Sequence, residues 1–167
     1  MNIIEFAMQM ERDGQAFYEK AAKTAPQPEL KEIFLYLAKE EERHFEFFKT
    51  MHEGDTQAAI RILGGNTMAK TKNVFVHLIE ENGETEFGAD TRKAWAEALK
   101  IEEKAVKLYS EEAAREKDPE RKKLLERIAE EERSHVYLID NMLSFMSDPQ
   151  TFADSQNFKN FKSWEGR

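Results

Sequence analysis

The feature that most constrains this chain is an internal duplication. Laid against itself at one gap-free offset of 91 residues, the sequence matches Ala7 with Ala98, Glu11 with Glu102, Tyr18 with Tyr109 and Ala22 with Ala113. The same offset carries across a turn. It matches Pro28 with Pro119, Glu29 with Glu120, Ala38 with Ala129, Glu40 with Glu131, Glu41 with Glu132, His44 with His135 and Met51 with Met142. Charged segments resemble one another by composition, but composition does not hold one register through two segments, a proline turn and a pair of rare histidines. Two copies of one unit in one domain are expected to meet about a pseudo-twofold axis, which brings matched residues together near the middle.

The repeated unit reads as an antiparallel helical hairpin. Apolar residues recur at three- and four-residue spacing through four long stretches, and no alternating strand pattern competes. The first helix is expected to start at Asn2, with Glu5 completing a capping box, and to stop before Pro26; the second runs from about Pro28 to about His52, where Gly54 ends it. The third is expected from Asp90 or Thr91 to about Glu116, and the fourth opens at Asp118 with Pro119 in its first turn and ends before Pro149. The fold class is therefore all-α, a four-helix bundle with hairpins at about 2–53 and 90–147. A crossover at about 54–89, containing Gly64, Gly65, Gly83, Gly88 and one short helix around TMAKTKNVFVHLIEE, is long enough to pass from one end of the bundle to the other. Residues 148–167 keep three phenylalanines and Trp164 among polar residues, so this tail is expected to pack on the bundle or on a second subunit. A homodimer is the expected assembly.

Two motifs within the repeat carry chemistry. In AKEEERH, Glu41 and His44 stand three apart, as do Glu132 and His135 in AEEERSH; such a pair projects from one helix face and can chelate one ion. Glu11 and Glu102 lie mid-way along the first and third helices, with Tyr18 and Tyr109 two turns further along the same stripe. That stripe is otherwise apolar or small, with Ile4, Ala7 and Gly14 in one copy and Ala98 and Ala105 in the other, so both glutamates are expected in the core with room for ions. Of the run Glu40, Glu41 and Glu42, the spacing to His44 selects Glu41 as the one that faces the core; Glu42 and Glu46 read as solvated. Glu40 and Glu131 either accept the outer ring hydrogen of a ligating histidine or are solvated. Tyr18 and Tyr109 either hydrogen-bond a carboxylate across the bundle, act as a redox buffer, or simply pack. A single Glu-x-x-His is unremarkable in so acidic a chain, but two in register, each with a matched core glutamate on the partner helix, make a metal site. His52 and His77 lack these partners and read as surface or packing residues, and Phe34, Phe45, Phe47 and Phe48 as core or subunit contacts.

Composition narrows the chemistry further. The chain has no cysteine, which excludes disulfides, thiolate zinc sites and iron–sulfur clusters, so any metal is held by nitrogen and oxygen. A formal charge of −8 argues against nucleic-acid binding, and no uncharged apolar run approaches a membrane span, so a cytoplasmic location is expected. Buried carboxylates each cost several kcal/mol and repel one another. Two divalent ions would balance the four glutamates Glu11, Glu41, Glu102 and Glu132, with neutral His44 and His135 as nitrogen ligands. This donor set suits iron or manganese, with zinc or cobalt as further occupants.

On these residues the chain resembles the rubrerythrin-like branch of the ferritin-like di-iron carboxylate superfamily, from about residue 3 to 147. The DPQTF and QNF segments of the tail are similar to the ending of small rubrerythrin-like proteins without other domains. The resemblance implies two iron ions, reaction with hydrogen peroxide or dioxygen, and an external electron donor such as a rubredoxin, because the four-cysteine iron site of rubrerythrins proper is missing. It departs from rubrerythrins at Ala105, where they carry an extra glutamate one turn beyond the third-helix ligand, and at its counterpart Gly14. Peroxidase turnover that relies on that glutamate is not implied, and the six-ligand set is closer to a bacterioferritin-type ferroxidase centre. Three functions follow as expectations: a di-iron oxidoreductase, a ferritin-type iron-oxidising storage subunit, and a bundle that metals merely stabilise.

Overall fold

The computed structural model describes residues 2–65, 67–81 and 86–165, which form eight helices and no strand. They are α1 (Ile3–Thr24), α2 (Pro28–His52), α3 (Thr56–Ile62), α4 (Met68–Glu81), α5 (Ala89–Arg115), α6 (Pro119–Ser147), α7 (Pro149–Ala153) and α8 (Gln156–Ser163). Helix ends follow local chemistry. The Asn2 side chain accepts from the Glu5 amide at 2.9 Å while the Glu5 carboxylate accepts from the Asn2 amide at 3.1 Å, and both exposed donors are satisfied. Asp118 does the same for the amides of Glu120 and Arg121 ahead of α6. Gly54, at φ +77°, supplies the left-handed residue just beyond α2.

The pairs α1/α2 and α5/α6 are the two hairpins, and α1 lies against α5. Tyr18 of α1 reaches Glu102 of α5 while Glu11 meets Tyr109, so residue numbers fall on one helix as they rise on the other. The two helices therefore run antiparallel, as a twofold axis across the bundle demands.

The described residues of the crossover form two helices rather than the one expected. Asp55 caps α3 through the Ala58 amide at 3.0 Å, and buried Ala59 seats this short helix on α2 and α6. Seven residues are too few for periodicity to stand out. Of the crossover glycines, Gly83 lies outside the described residues. The tail folds back on its own chain: Phe152, Phe158 and Phe161 are buried in one cluster with Phe75 of α4 and Phe145 of α6. The core is split in two. This larger cluster contains Trp95, Phe34 and Tyr18, while a smaller one gathers Phe47, Phe48, Met51, Leu125, Ile128 and Tyr109. A layer of buried polar side chains lies between them. Among the described residues no helix is long and apolar enough to cross a membrane.

Candidate metal centre

Each of the four long helices turns one face inward and places a polar residue midway along it. On α1 the buried positions run Ala7, Glu11, Gly14, Tyr18, and on α5 they run Ala98, Glu102, Ala105, Tyr109, a three-and-four spacing that forces each glutamate into the same stripe as its apolar neighbours. On α2 and α6 the pairs Glu41/His44 and Glu132/His135 share the inward face. None of the six residues is more than 3% exposed.

Their donor atoms form two groups. Glu11, Glu41, His44 and Glu132 offer atoms within 4.8 Å of one another, and so do Glu41, Glu102, Glu132 and His135. Glu41 and Glu132 belong to both groups, Glu11 with His44 to one, and Glu102 with His135 to the other. The imidazoles are oriented alike. His44 Nδ1 lies 2.8 Å from Glu132 Oε1, and His135 Nδ1 lies 3.3 Å from Glu132 Oε2 and 3.5 Å from Glu102 Oε1. The Nε2 atoms point away from the layer, that of His44 to Glu131 at 2.9 Å and that of His135 to Glu40 at 3.6 Å. Each histidine therefore meets the outer carboxylate of the opposite hairpin.

Tyrosines hold the remaining glutamates in the same crossed manner. Tyr18 donates to Glu102 at 2.7 Å, and Tyr109 donates to Glu11. Both hydroxyls are thus oriented by carboxylates across the bundle. One reading of the sequence needs correction: Glu40 is also buried, because the α2–α6 seam covers it, so two of the three consecutive glutamates leave solvent. Glu42 and Glu46 are exposed, as are His52 and His77. Phe34, Phe47 and Phe48 are core residues, and half-buried Phe45 carries the Arg12 guanidinium over its ring at 3.6 Å.

The electrostatics show what the layer lacks. Burial, reinforced by the charge of Glu132, raises Glu11 to about 7 and Glu102 to about 8. Glu41 rises well above the usual carboxylate range through burial and the neighbouring Glu11 and Glu102. Burial pushes Glu132 the same way, but the His44 charge and hydrogen bonds from Glu102, His135 and His44 outweigh it and hold it well below. Burial opposes charge on His44 and His135, yet the surrounding carboxylates lift both well above 6.5. Without metal, protons supply the positive charge that this cluster needs.

A profile of the Rubrerythrin family matches residues 2–143. The chain belongs to the rubrerythrin family. No curated protein and no solved structure matches it. The residues of this rubrerythrin-family chain fit metal ions on three observations. Glu11 Oε2, Glu41 Oε1 and Glu102 Oε2 are buried without a hydrogen-bond partner among the described residues, a costly state that a cation relieves. At Gly14 a Cβ would press on the Glu41 carboxylate, its Cδ 3.0 Å away, so the missing side chain leaves that group its space. Finally, the donors are oxygens and imidazole nitrogens without sulfur, the set that iron and manganese accept.

Two residues at the edge escaped the sequence reading. Arg43 bonds Glu40, Glu131 and the Ile62 carbonyl, and Tyr36 sets its ring edge-on to His135 at 6.0 Å. Neither obeys the duplication, since the offset pairs Arg43 with Ser134 and Tyr36 with Arg127, so the signal that picked out the candidate donors passed over both.

Proposed function

We propose that this chain is a non-haem di-iron oxidoreductase that reduces hydrogen peroxide or dioxygen with electrons from a separate donor protein of rubredoxin type. The observation that carries the reading is the sharing of Glu41 and Glu132 between two four-residue donor groups, the arrangement needed to bridge a pair of ions. In this reading Glu11 and His44 would hold one ion, Glu102 and His135 the other, and the two shared carboxylates both. Iron so held would supply the electrons that reduce the oxidant. Tyr18 and Tyr109 would fix the orientation of Glu102 and Glu11, while Glu131 and Glu40 would keep His44 and His135 turned with Nδ1 inward. The aromatic cluster around Phe34 and Trp95 would exclude water from one side. A cavity of about 550 Å³, walled by Tyr36, Thr67, Glu130 and His135 among others, would give small oxidants an approach from the His135 side.

Anaerobic iron titration followed by separate stopped-flow mixing with peroxide and with oxygen tests this. The expected result is saturation at two irons per chain and rapid oxidation by at least one of the two oxidants. A loaded protein inert to both, or one that never binds two irons, sinks the proposal.

One observation favours a second reading, a ferritin-type iron-oxidising storage subunit. Ala105 and Gly14 put no carboxylate one turn beyond Glu102 and Glu11, so the inner layer keeps to six donors, a set that would suit a simple iron-oxidising site. Native mass separates the two, because storage requires a closed shell of many subunits and peroxide reduction does not.

A further inference from the structure

The seam between α2 and α6 contains a part-buried cation that the ligand assignment leaves unused. Arg43 stands beside His44 in sequence, and only 20% of its side chain is exposed. Its Nη2 donates to Glu40 Oε2 at 2.8 Å and also to Glu131 Oε2, its Nε donates to Glu40 Oε1 at 3.2 Å, and its Nη1 donates to the Ile62 carbonyl at 2.7 Å. One planar group thus ties α2, α6 and the end of α3 together. Its bond to the Ile62 carbonyl satisfies one of the last carbonyls of α3, so one side chain serves a crossover helix and two bundle helices.

The carboxylates it grips are the two that face the histidines from outside. Glu131 meets His44 Nε2 at 2.9 Å, and Glu40 meets His135 Nε2 at 3.6 Å. The duplication would call for a second arginine at position 134, but Ser134 stands there, and among the described residues its hydroxyl bonds only the Glu130 carbonyl of its own helix, at 3.3 Å. Arg127 also approaches Glu131, at 3.9 Å, and bonds the Leu63 carbonyl, but among the described residues Arg43 is the guanidinium that bonds both outer carboxylates. Two carboxylates converging on one seam repel, and the Arg43 guanidinium between them offsets that repulsion. A guanidinium suits this place because its fixed fork binds two carboxylates at once, whereas an ammonium acts as a point charge.

We propose that Arg43 is the positioning residue for both metal sites together: through Glu131, bonded to His44 Nε2 at 2.9 Å, and Glu40, within ion-pair reach of His135 Nε2 at 3.6 Å, it steadies both imidazoles with their Nδ1 atoms aimed into the carboxylate layer. The inference rests on the metal-centre reading above. It differs from an ordinary ion-pair role in one respect, since a merely structural arginine could be lost without moving metal affinity.

Zinc titration calorimetry on the full chain, as wild type, Arg43→Ala, Arg43→Lys and Ser134→Ala, tests it. In parallel, proton NMR of the zinc-loaded protein follows the two imidazole Nε2–H resonances. Wild type is expected to take two zinc ions. Arg43→Ala should weaken both binding steps by about tenfold to a hundredfold, the usual effect of losing a partner behind a ligand, and shift both imidazole resonances. Ser134→Ala should leave both steps unchanged. Should Arg43→Ala not fold, Arg43→Lys carries the test, because it keeps the charge and loses the fork, so both steps should still weaken. Wild-type affinity in the Arg43 variants, or weakening of one step only, overturns the inference while leaving the metal centre standing. A wild-type chain that binds no zinc removes the metal-centre reading and the inference with it.

Discussion

The two hairpins offer the same donors in the same register, yet they sit in different surroundings. Glu11, Tyr18, Glu41 and His44 have exact counterparts in Glu102, Tyr109, Glu132 and His135, and every one of these eight is buried. Around them the copies diverge. Trp95, fully buried and stacked on Phe34 with ring centroids 4.2 Å apart, stands opposite half-buried Ile4; Gly14 pairs with Ala105, and Arg43 with Ser134. The crossover helix α4 and the tail helices cover only the end that contains Trp95. The difference teaches that the shared chemistry constrains the inner layer in both copies, while packing outside it was free to specialise.

The largest expected effect breaks the symmetry at its centre. Glu41→Ala or Glu132→Ala, each removing a carboxylate common to both donor groups, should cost the protein both ions, whereas Glu11→Ala or Glu102→Ala should leave about one. Metal analysis of purified variants reads this directly. A Glu11→Ala protein that still binds two irons and oxidises them normally would show the ligand set to be wrong.

Next in size is a pH effect confined to the metal-free protein. An acid whose folded value is raised holds a proton that the unfolded chain has already released, so its ionisation opposes folding. For Glu11, at about 7, and Glu102, at about 8, that cost begins near pH 4.5 and is complete only above about pH 8. It amounts to something on the order of 8 kcal/mol between them. His44 and His135 act in the same sense, since stability from a raised imidazole is full below its unfolded value and is lost as pH climbs through the folded one. Glu132, with a depressed value, instead contributes stability that disappears on acidification. Metal-free protein should therefore be most stable in mildly acidic solution, and metal loading should abolish the alkaline decline. Urea unfolding across pH, with and without zinc, measures both limbs; a metal-free protein as stable at pH 8.5 as at pH 5 would contradict the assignment.

The smallest effect concerns the packing difference between the copies. Trp95→Ala should destabilise the fold by ~3–5 kcal/mol, and Ile4→Ala, at its half-buried counterpart, by roughly 1 kcal/mol. Equal losses at the two positions would mean that the halves are packed alike after all.

The long helices and the candidate donors were legible because both obey simple rules. Asn2, Asp118 and Pro119 announce helix starts through local hydrogen bonding, and the donors repeat at one offset. What stayed hidden depends on contacts between elements. Helix α3 is stabilised by its seat on α2 and α6 rather than by its own pattern. Burial of Glu40 is decided by the facing helix, since on α2 alone it lies at the edge of the buried face. Arg43 was invisible for a sharper reason: reading by duplication rewards residues that recur, and Arg43 matters because its counterpart does not.

The crossed partnerships around the histidines have one more consequence. His44 takes its outer carboxylate from α6 and His135 from α2, while Glu11 and Glu102 each take their tyrosine from the opposite hairpin. A hairpin on its own is thus half a lock, with its donors present and the groups that aim them elsewhere. Two separate copies could assemble the full set only by finding each other at sufficient concentration, whereas joining them in one chain makes the encounter intramolecular and independent of dilution. Fusion, in this protein, is what lets the centre form at any abundance in which the chain itself folds.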